Sequence, residues 1–366
     1  MRKHNAENER IKRKYFQFLK EAKQKDEASI DAVAAALARF EASTSYRSFK
    51  DFHREQAIAF KKRLAGAAGS DKALSKSTQY AILAHLKRFI EWLSREPGYT
   101  RKVQYSDAEY FNLSEKDCRI ATARRETSGP TLEQVRHVIA TMPAGTDIEL
   151  RNRALVAFVL LTGARDNAVA SMKLKHVDIA RHRVLQDARD VRTKFSKTFT
   201  TVFFPVGDEV RDIVVEWVKH LREKLLWGDN DALFPRTHVE VGAGNQFAAT
   251  GLERENWSNA NPIRQIFRQA FEQAGLPYFN PHSLRKTLVA LGMERCTTPE
   301  AFKAWSQNLG HEGVLTTFMS YGTVSENRQA ELIADMSDDG QPKPSFTLDQ
   351  LARFLQHSGV SITPSP

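Results

Sequence analysis

The sequence predicts a mainly α-helical chain with a small antiparallel β-sheet, divided into an N-terminal helical bundle and a C-terminal α+β domain. Three observations support this fold class. Apolar residues recur at helical spacing through most of the 366 residues. The first hundred residues contain no strand pattern. Two short segments rich in Val, Thr and Phe, the pattern of β-strands, occur only in the second half of the chain.

The N-terminal domain, residues 1–100, is predicted to be a bundle of four helices joined by short loops. The predicted helices are 7–24, 29–42, 52–64 and a fourth that follows Ser77. Ser48 and Asp51 lie three residues apart and predict a capping box before the third helix. Glu96-Pro97-Gly98 ends the fourth helix.

Residues 101–129 are predicted to be a basic interdomain linker, because they lack periodicity and end at Ser128-Gly129-Pro130. The positive charge of the whole chain, +10, is concentrated before and within this segment. Residues 1–125 contain 27 Lys and Arg against 16 Asp and Glu, whereas residues 126–366 contain 27 against 28. Such an imbalance favours a polyanionic partner such as duplex DNA, and the alternative is a solvated Lys-rich helical surface. A basic linker suits a clamp around DNA, and an ordinary flexible tether explains it almost as well.

The second domain, residues 130–336, is predicted to begin with a helix capped by Thr131. The apolar run 155–162 could be a buried helix or a buried strand, and its setting within 149–162 favours a helix. Further predictions are a β-hairpin from 178 to 205, a helix over 210–226, a structureless loop over 236–260 and a helix over 261–274 capped by Gly275. A last helix, 325–336, precedes a tail over 337–366 that contains a short amphipathic segment, 346–357. That segment could dock on its own domain or on a neighbouring protomer.

Composition excludes several classes of protein. No apolar run approaches the length of a membrane span, so no membrane association is expected. The polar residues after Met1-Arg2-Lys3 exclude a secretory signal. Cys118 and Cys296 are the only cysteines, which makes neither a disulfide framework nor a zinc cluster and favours the cytoplasm.

The residues with the strongest chemical content lie in four short motifs of the second domain: Gly163-Ala164-Arg165, Pro281-His282-Ser283-Leu284-Arg285, Leu309-Gly310-His311 and the segment around Tyr321. His282 and Arg285 are three apart, so on a helix they share a face. Guanidinium groups bind phosphate oxygens bidentately, and imidazoles carry protons. With a phenol as nucleophile, this set suits phosphoryl transfer through a covalent tyrosyl intermediate without a metal or other cofactor.

The order of these motifs, together with a Lys at the hairpin tip, resembles the tyrosine recombinase (phage integrase) family. The resemblance implies a core-binding, SAM-like helical domain followed by a catalytic domain. It implies that Arg165 and Arg285 hold the phosphate, His282 accepts a proton, His311 donates a hydrogen bond, and Tyr321 attacks. Ala168 stands where the family commonly has an acidic residue, with Asp166 beside Arg165 instead.

The family's general acid is a Lys on the hairpin tip, where this sequence has Arg192-Thr193-Lys194-Phe195-Ser196-Lys197. The motif spacing favours Lys194, because Thr-Lys-x-x-Lys resembles the family's turn. Counting back from Pro205 favours Lys197 instead. Lys194 is the prediction and Lys197 the alternative.

The resemblance implies site-specific DNA recombination or integration for a mobile genetic element, independent of ATP and metal. The implied partners are double-stranded DNA, three further copies in a homotetramer, and accessory DNA-bending proteins. Two alternatives stay open: DNA relaxation in the manner of a type IB topoisomerase, and a non-catalytic DNA-binding accessory protein.

Overall fold

The computed structural model describes residues 4–66, 73–123, 129–241 and 246–311. The chain divides into two units, Met1–Arg125 and Glu126–Pro366. Helices dominate both units, and short antiparallel strands occur in the second. The predicted fold class is therefore confirmed. The predicted helix 325–336, the tail 337–366 and Tyr321 lie outside the described residues.

The first unit contains five α-helices among its described residues. They are α1 (Ala6–Gln17), α2 (Glu27–Ser43), α3 (Arg54–Leu64), α4 (Lys76–Leu93) and α5 (Glu115–Thr122). Aromatic side chains from α1 to α4, and from the segments between and after these helices, fill much of the core. The ring of Phe40 contacts those of Phe60 and Phe111 edge to face, at centroid distances of 5.3 and 5.6 Å. Burial of these rings is what holds the short helices together.

The prediction of a linker over 101–129 is wrong for residues 105–122. Tyr105–Phe111 form a 3₁₀-helix and the next segment forms α5. Ala108 and Phe111 are buried in the core of the first unit, with 0% and 1% of their surface exposed. Each of these helices is only two turns or less in length, so neither shows a measurable apolar period in the sequence.

Two predicted helix starts are displaced. Ser48 does not cap α3; its hydroxyl accepts a hydrogen bond from the Lys50 amide in a separate 3₁₀-turn, Phe49–Asp51, and α3 begins at Arg54. Helix α4 begins at Lys76, capped by Ser75 instead of following Ser77. Several hydroxyl side chains precede each helix, and tertiary packing selects among them.

The second unit contains seven α-helices among its described residues. They are α6 (Leu132–Thr141), α7 (Asp147–Thr162), α8 (Asp166–Val169), α9 (Asp208–Lys219), α10 (Asn261–Gln273), α11 (Leu284–Arg295) and α12 (Pro299–Asn308). Thr131 and Gln134 form a complete capping box at the start of α6, as predicted for Thr131. Residues 154–162 of α7 are each buried to 1% exposure or less, so this helix is the centre of the unit.

The predicted β-hairpin is present. Strands β1 (Val177–Asp178), β2 (Arg183–Gln186) and β3 (Phe199–Val202) form an antiparallel sheet in that order. Gln186 pairs with Phe199, so residues 187–198 form the loop that joins β2 to β3. This loop carries both candidate lysines.

The loop predicted over 236–260 is wrong in part, because β4 (Thr237–Val241) and β5 (Phe247–Leu252) form a second antiparallel hairpin there. Most of its side chains are exposed. Backbone pairing forms the hairpin with little burial, which leaves almost no hydrophobic signal in the sequence. No helix in the described part of the chain is long and apolar enough to cross a membrane.

Candidate active site

Arg285 is the centre of the candidate site. Its side chain projects from the first turn of α11 and is only 5% exposed. Nη1 donates a hydrogen bond to the Gly163 carbonyl at 2.5 Å, and Nη2 donates to the Leu309 carbonyl at 2.7 Å. Nη2 also lies 2.7 Å from Nε2 of His311. One guanidinium thus joins three motifs, the first of which precedes the second by more than a hundred residues.

Gly163 allows this approach. It ends α7 in the left-handed region, at φ 60°, which glycine adopts without steric cost. A Cβ at this position would lie 2.9 Å from a methyl group of Leu309 and 3.0 Å from a methyl group of Leu288. The reversal at Gly163 turns the chain so that Arg165, two residues later, stands at the start of α8.

Arg165 is half-buried, and the loss of solvent around its guanidinium lowers its pKa. Its positive charge in turn lowers the pKa of Arg285, His282 and His311. The neighbouring carboxylate, Asp166, accepts a hydrogen bond from Arg264 at 2.8 Å. Among the described residues no carboxylate forms an ion pair with Arg165.

Burial and then the charge of Arg165 lower the pKa of Arg285 to about 9, which still leaves the guanidinium charged at neutral pH. Two cations therefore lie close together, and among the described residues no carboxylate forms an ion pair with either of them. Such an arrangement is unfavourable alone and becomes favourable when an anion binds between them.

His282 lies in the 3₁₀-turn Pro281–Ser283, which continues directly into α11. The Asn280 side chain caps this turn by accepting a hydrogen bond from the Ser283 amide at 3.1 Å. Although part of its ring is exposed, the surrounding protein removes enough water to lower the pKa of His282, and the charges of Arg285 and Arg165 lower it further. The imidazole is therefore neutral at pH 7, with one nitrogen able to accept a proton.

His311 is also neutral. Burial, followed by the charges of Arg285 and Arg165, lowers its pKa to about 4. Because a guanidinium can only donate, Nε2 of His311 must accept the hydrogen bond from Arg285. The ring proton is then on Nδ1.

The β2–β3 hairpin is attached to the segment that carries His311. Asn308, at the end of α12, accepts a hydrogen bond from the Val202 amide at 2.7 Å and donates one to the Val202 carbonyl at 2.8 Å. A Cβ on Gly310, whose φ is 70°, would lie 2.6 Å from the Phe199 ring. Strand β3 and the Leu309-Gly310-His311 motif therefore pack as one piece.

This packing distinguishes the two candidate lysines. Lys197 is half-buried, and its charge contributes to the lowered pKa of His311. Lys194 is exposed, and its ammonium group lies 4.8 Å from the centre of the Phe195 ring. The geometry favours the alternative, Lys197, over the predicted Lys194 as the lysine beside the site.

Residues 131–328 match the family model described as the phage integrase family. The chain belongs to the phage integrase family. Among its relatives, tyrosine recombinase XerC of Halalkalibacterium halodurans is 25% identical over 197 residues, which cover 54% of this chain and 57% of that protein. Tyrosine recombinase XerD of Neisseria meningitidis serogroup B is 25% identical over 247 residues, 66% of this chain and 71% of that protein. The chain spans just over half the length of the first of these relatives.

Solved structures of the same fold extend beyond the residues matched to the phage integrase family. A lambda integrase dimer bound to a COC' core site has a TM-score of 0.58 at 13% identity, covering 88% of this chain and 83% of that one. XerH site-specific recombinase bound to palindromic difH substrate, a post-cleavage complex, has a TM-score of 0.57 at 16% identity, covering 88% and 84%. These similarities establish the fold of the two units.

Of the six predicted site residues, the structure brings Arg165, His282, Arg285 and His311 together. Tyr321 lies outside the described residues and stays a prediction. Sequence reasoning missed Asn308, which attaches the hairpin to the site. An asparagine before Leu-Gly-His carries no local signal, because its partner is a strand more than a hundred residues earlier.

Proposed function

We propose that this phage integrase family member is a site-specific DNA recombinase that cuts and rejoins DNA through a 3′-phosphotyrosyl intermediate on Tyr321. The observation that carries the proposal is the position of Arg285, bonded to Gly163, Leu309 and His311 at once. This position brings two cations, Arg285 and Arg165, together with two neutral imidazoles. Such a set can stabilise the transition state of a substitution at a phosphodiester.

The two guanidiniums would bind the non-bridging oxygens of the scissile phosphate. Negative charge grows on these oxygens as the pentacoordinate transition state forms, so cations held in place contribute most at that point. His311 would add a hydrogen bond from Nδ1. The anion would also offset the positive charges of Arg285 and Arg165, which, after burial, lower the pKa of both histidines.

Protons balance across the reaction. The Tyr321 oxygen would form a bond to phosphorus while its proton passes to neutral His282, whose lowered pKa keeps it available as a base. The bond from phosphorus to the 5′-oxygen breaks, and Lys197 would give that oxygen a proton. Rejoining is the reverse, with a 5′-hydroxyl as nucleophile. The phosphotyrosyl bond conserves the energy of the phosphodiester, so neither ATP nor a metal cofactor is needed.

Double-stranded DNA carrying specific recombination sites is the proposed substrate. The excess positive charge of residues 1–125 supports a DNA-binding role for the first unit. We propose that four copies assemble on two duplexes, since a lambda integrase tetramer bound to a Holliday junction shares the fold at a TM-score of 0.54. A mobile-element role in the cytoplasm, with accessory DNA-bending proteins, completes the proposal.

We propose that residues 130–336, within the second unit, form the catalytic domain, because they contain all of the gathered site residues. The tail after residue 336 is proposed as a separate docking segment, on its own domain or on a neighbouring protomer.

Covalent trapping tests the proposed function. A suicide substrate, nicked so that the cleaved 5′ fragment diffuses away, should accumulate a protein–DNA adduct with the intact chain. Tyr321→Phe should abolish the adduct while DNA binding stays within about twofold, since only one hydroxyl is lost. An adduct formed by Tyr321→Phe would refute the assignment of the nucleophile, and relaxation of supercoiled DNA without joining of two sites would refute recombination.

A further inference from the structure

Phe195, at the tip of the β2–β3 hairpin, has a conformation that its own domain does not explain. Its side chain is 81% exposed. Its backbone is in the left-handed region, at φ 61° and ψ 25°. Large non-glycine residues avoid this region, because Cβ approaches the following carbonyl oxygen. A large aromatic ring in water and a strained backbone are both unfavourable, so this position is a candidate for a functional contact.

The tip is held in place from both ends of the loop. On the first side, the Arg192 guanidinium donates hydrogen bonds to the carbonyls of Trp257 at 2.7 Å and Ala170 at 3.2 Å. On the other side, Asn308 binds β3 at Val202. Phe195 is therefore presented by a supported loop, two residues from Lys197 and on the hairpin that packs against the His311 segment.

The chemistry around the ring points to a nucleobase. The Lys194 ammonium group lies 4.8 Å from the ring centre and covers part of one face, which leaves the rest of the ring open. An exposed aromatic ring among cations is the combination with which proteins bind DNA. The ring stacks on a base or wedges into a base step, while the neighbouring lysines contact the phosphates.

We propose that Phe195 stacks on a nucleobase next to the scissile phosphate and thereby positions that phosphate between Arg165 and Arg285. This inference rests on the proposed function, because the DNA must reach the same site. Lys194 then contacts the DNA backbone beside the stacked base, and Lys197 is left to protonate the leaving oxygen. The strained turn is compensated only in the DNA complex, where the ring is buried.

The chain offers a matched control in Phe247, at the start of β5. This ring is also 81% exposed, on the β4–β5 hairpin. Its hairpin carries the carboxylates Glu240 and Glu253 at or near its strands instead of lysines. Replacing Phe247 therefore removes the same exposed ring from a hairpin that carries no lysine.

The test uses the full-length protein and substrates carrying the fluorescent base 2-aminopurine at single positions on either side of the cleavage point. In the Tyr321→Phe background, which binds without cutting, binding should change the fluorescence at one position because the base leaves its neighbours and stacks on Phe195. Adding Phe195→Asn should abolish the change, since asparagine tolerates the left-handed backbone but has no ring. Phe195→Tyr and Phe247→Asn should each preserve it.

A second measurement uses covalent trapping with Tyr321 intact. Phe195→Asn should reduce the single-turnover rate by about 10-fold or more, the loss expected from one base–aromatic stack. Phe195→Tyr and Phe247→Asn should stay within about threefold. An unchanged fluorescence signal and trapping rate in Phe195→Asn would overturn the inference. The fluorescence result is independent of chemistry, so it decides the stacking contact even if no adduct forms and the proposed function fails.

Discussion

At the scale of single residues, the site is defined by a buried guanidinium that binds two carbonyl oxygens and one imidazole. Carbonyls hold Arg285 in position without neutralising it, which leaves its charge available to an anion. The same charge, after burial, keeps His311 neutral and fixes its tautomer. Position and protonation state at this site therefore have a common cause.

Arg285→Lys tests whether the guanidinium group is required, and not only its positive charge. Lysine keeps the charge but has no planar fork with which to reach both carbonyls and His311 together. We expect the trapping rate to fall by about 10²- to 10³-fold, the usual cost of losing one transition-state donor. Arg295→Lys, in the same helix, is the control, because the exposed Arg295 donates to the Pro205 carbonyl at 2.8 Å. Full activity in Arg285→Lys, or equal losses in both variants, would contradict the assignment.

The lowered pKa of His311 predicts a dependence of stability on pH. The ordinary value is 6.5 and the folded value is about 4, so between these pH values the unfolded chain binds a proton that the folded chain does not. Stability should therefore fall as pH falls from 6.5 towards 4, and His311→Gln should reduce that fall. Urea unfolding at pH 7 and pH 5, followed by tryptophan fluorescence, measures the difference. Tryptophan fluorescence reports mainly on the second unit, because four of the five tryptophans lie there. An equal change in the free energy of unfolding between pH 7 and pH 5 in both proteins would contradict the prediction.

At the scale of elements, the site depends on the contact between β3 and the turn that follows α12. Asn308 pairs with Val202 through two hydrogen bonds, and Gly310 lies against the Phe199 ring. These contacts attach the strand that follows Lys197 to the segment that carries His311. A change that separates strand from turn should therefore impair catalysis without touching a reacting group.

Gly310→Ala makes such a change. Its Cβ would lie 2.6 Å from the Phe199 ring, and its φ of 70° strains any side chain. We expect a loss of about 2–4 kcal/mol in stability, from overpacking together with left-handed strain, and at least about a 10-fold slower trapping rate. Gly275→Ala is the control, because φ is 71° there but nothing lies within 4 Å of the added methyl group. It should cost only the strain of about 1–2 kcal/mol and leave trapping unchanged. Thermal unfolding and trapping of both variants give the comparison, and equal effects would exclude the role of Phe199.

At the scale of the whole molecule, the uneven charge separates two tasks. Residues 1–125 hold the excess of positive charge, and the second unit is close to neutral although its site is cationic. Under the proposed function, the charge that attracts DNA at long range would lie mainly in the first unit, and the chemistry would take place in the second. Several of the N-terminal cations are already paired within the unit, such as Lys87 with Glu109 at 2.9 Å.

The salt dependence of DNA binding tests this division. Lys62 and Arg88 are exposed, on α3 and α4. Lys62→Gln with Arg88→Gln should weaken binding on all sequences and lower the slope of log K against log salt by up to about 2, one for each lost phosphate contact. Arg211→Gln is the control, because Arg211 binds Asp208 and Asp212 at 2.7 and 2.9 Å. Arg211→Gln should leave the slope unchanged. An unchanged slope in Lys62→Gln with Arg88→Gln would contradict a DNA contact through these two residues of the first unit.

The sequence by itself determined the helices with long apolar stripes, such as α4 and α10, because burial of one face repeats every 3.6 residues and remains visible without coordinates. It also determined the residue types of the site, since few side chains can hold a phosphate and move a proton. Short elements were missed: α5 is two turns long, and β4 with β5 buries little, so neither leaves a period.

Only the tertiary structure gives a reason to favour one of the two candidate lysines, Lys197. Lys194 and Lys197 lie in one polar loop, and no local pattern separates them. Their difference arises because β3 is bound to Asn308 and packed on Gly310, contacts between segments more than a hundred residues apart. Sequence patterns report local periodicity and chemical type, whereas the direction in which a loop side chain points depends on long-range packing. For the same physical reason, the exposure of Phe195 could be recognised only from the folded chain.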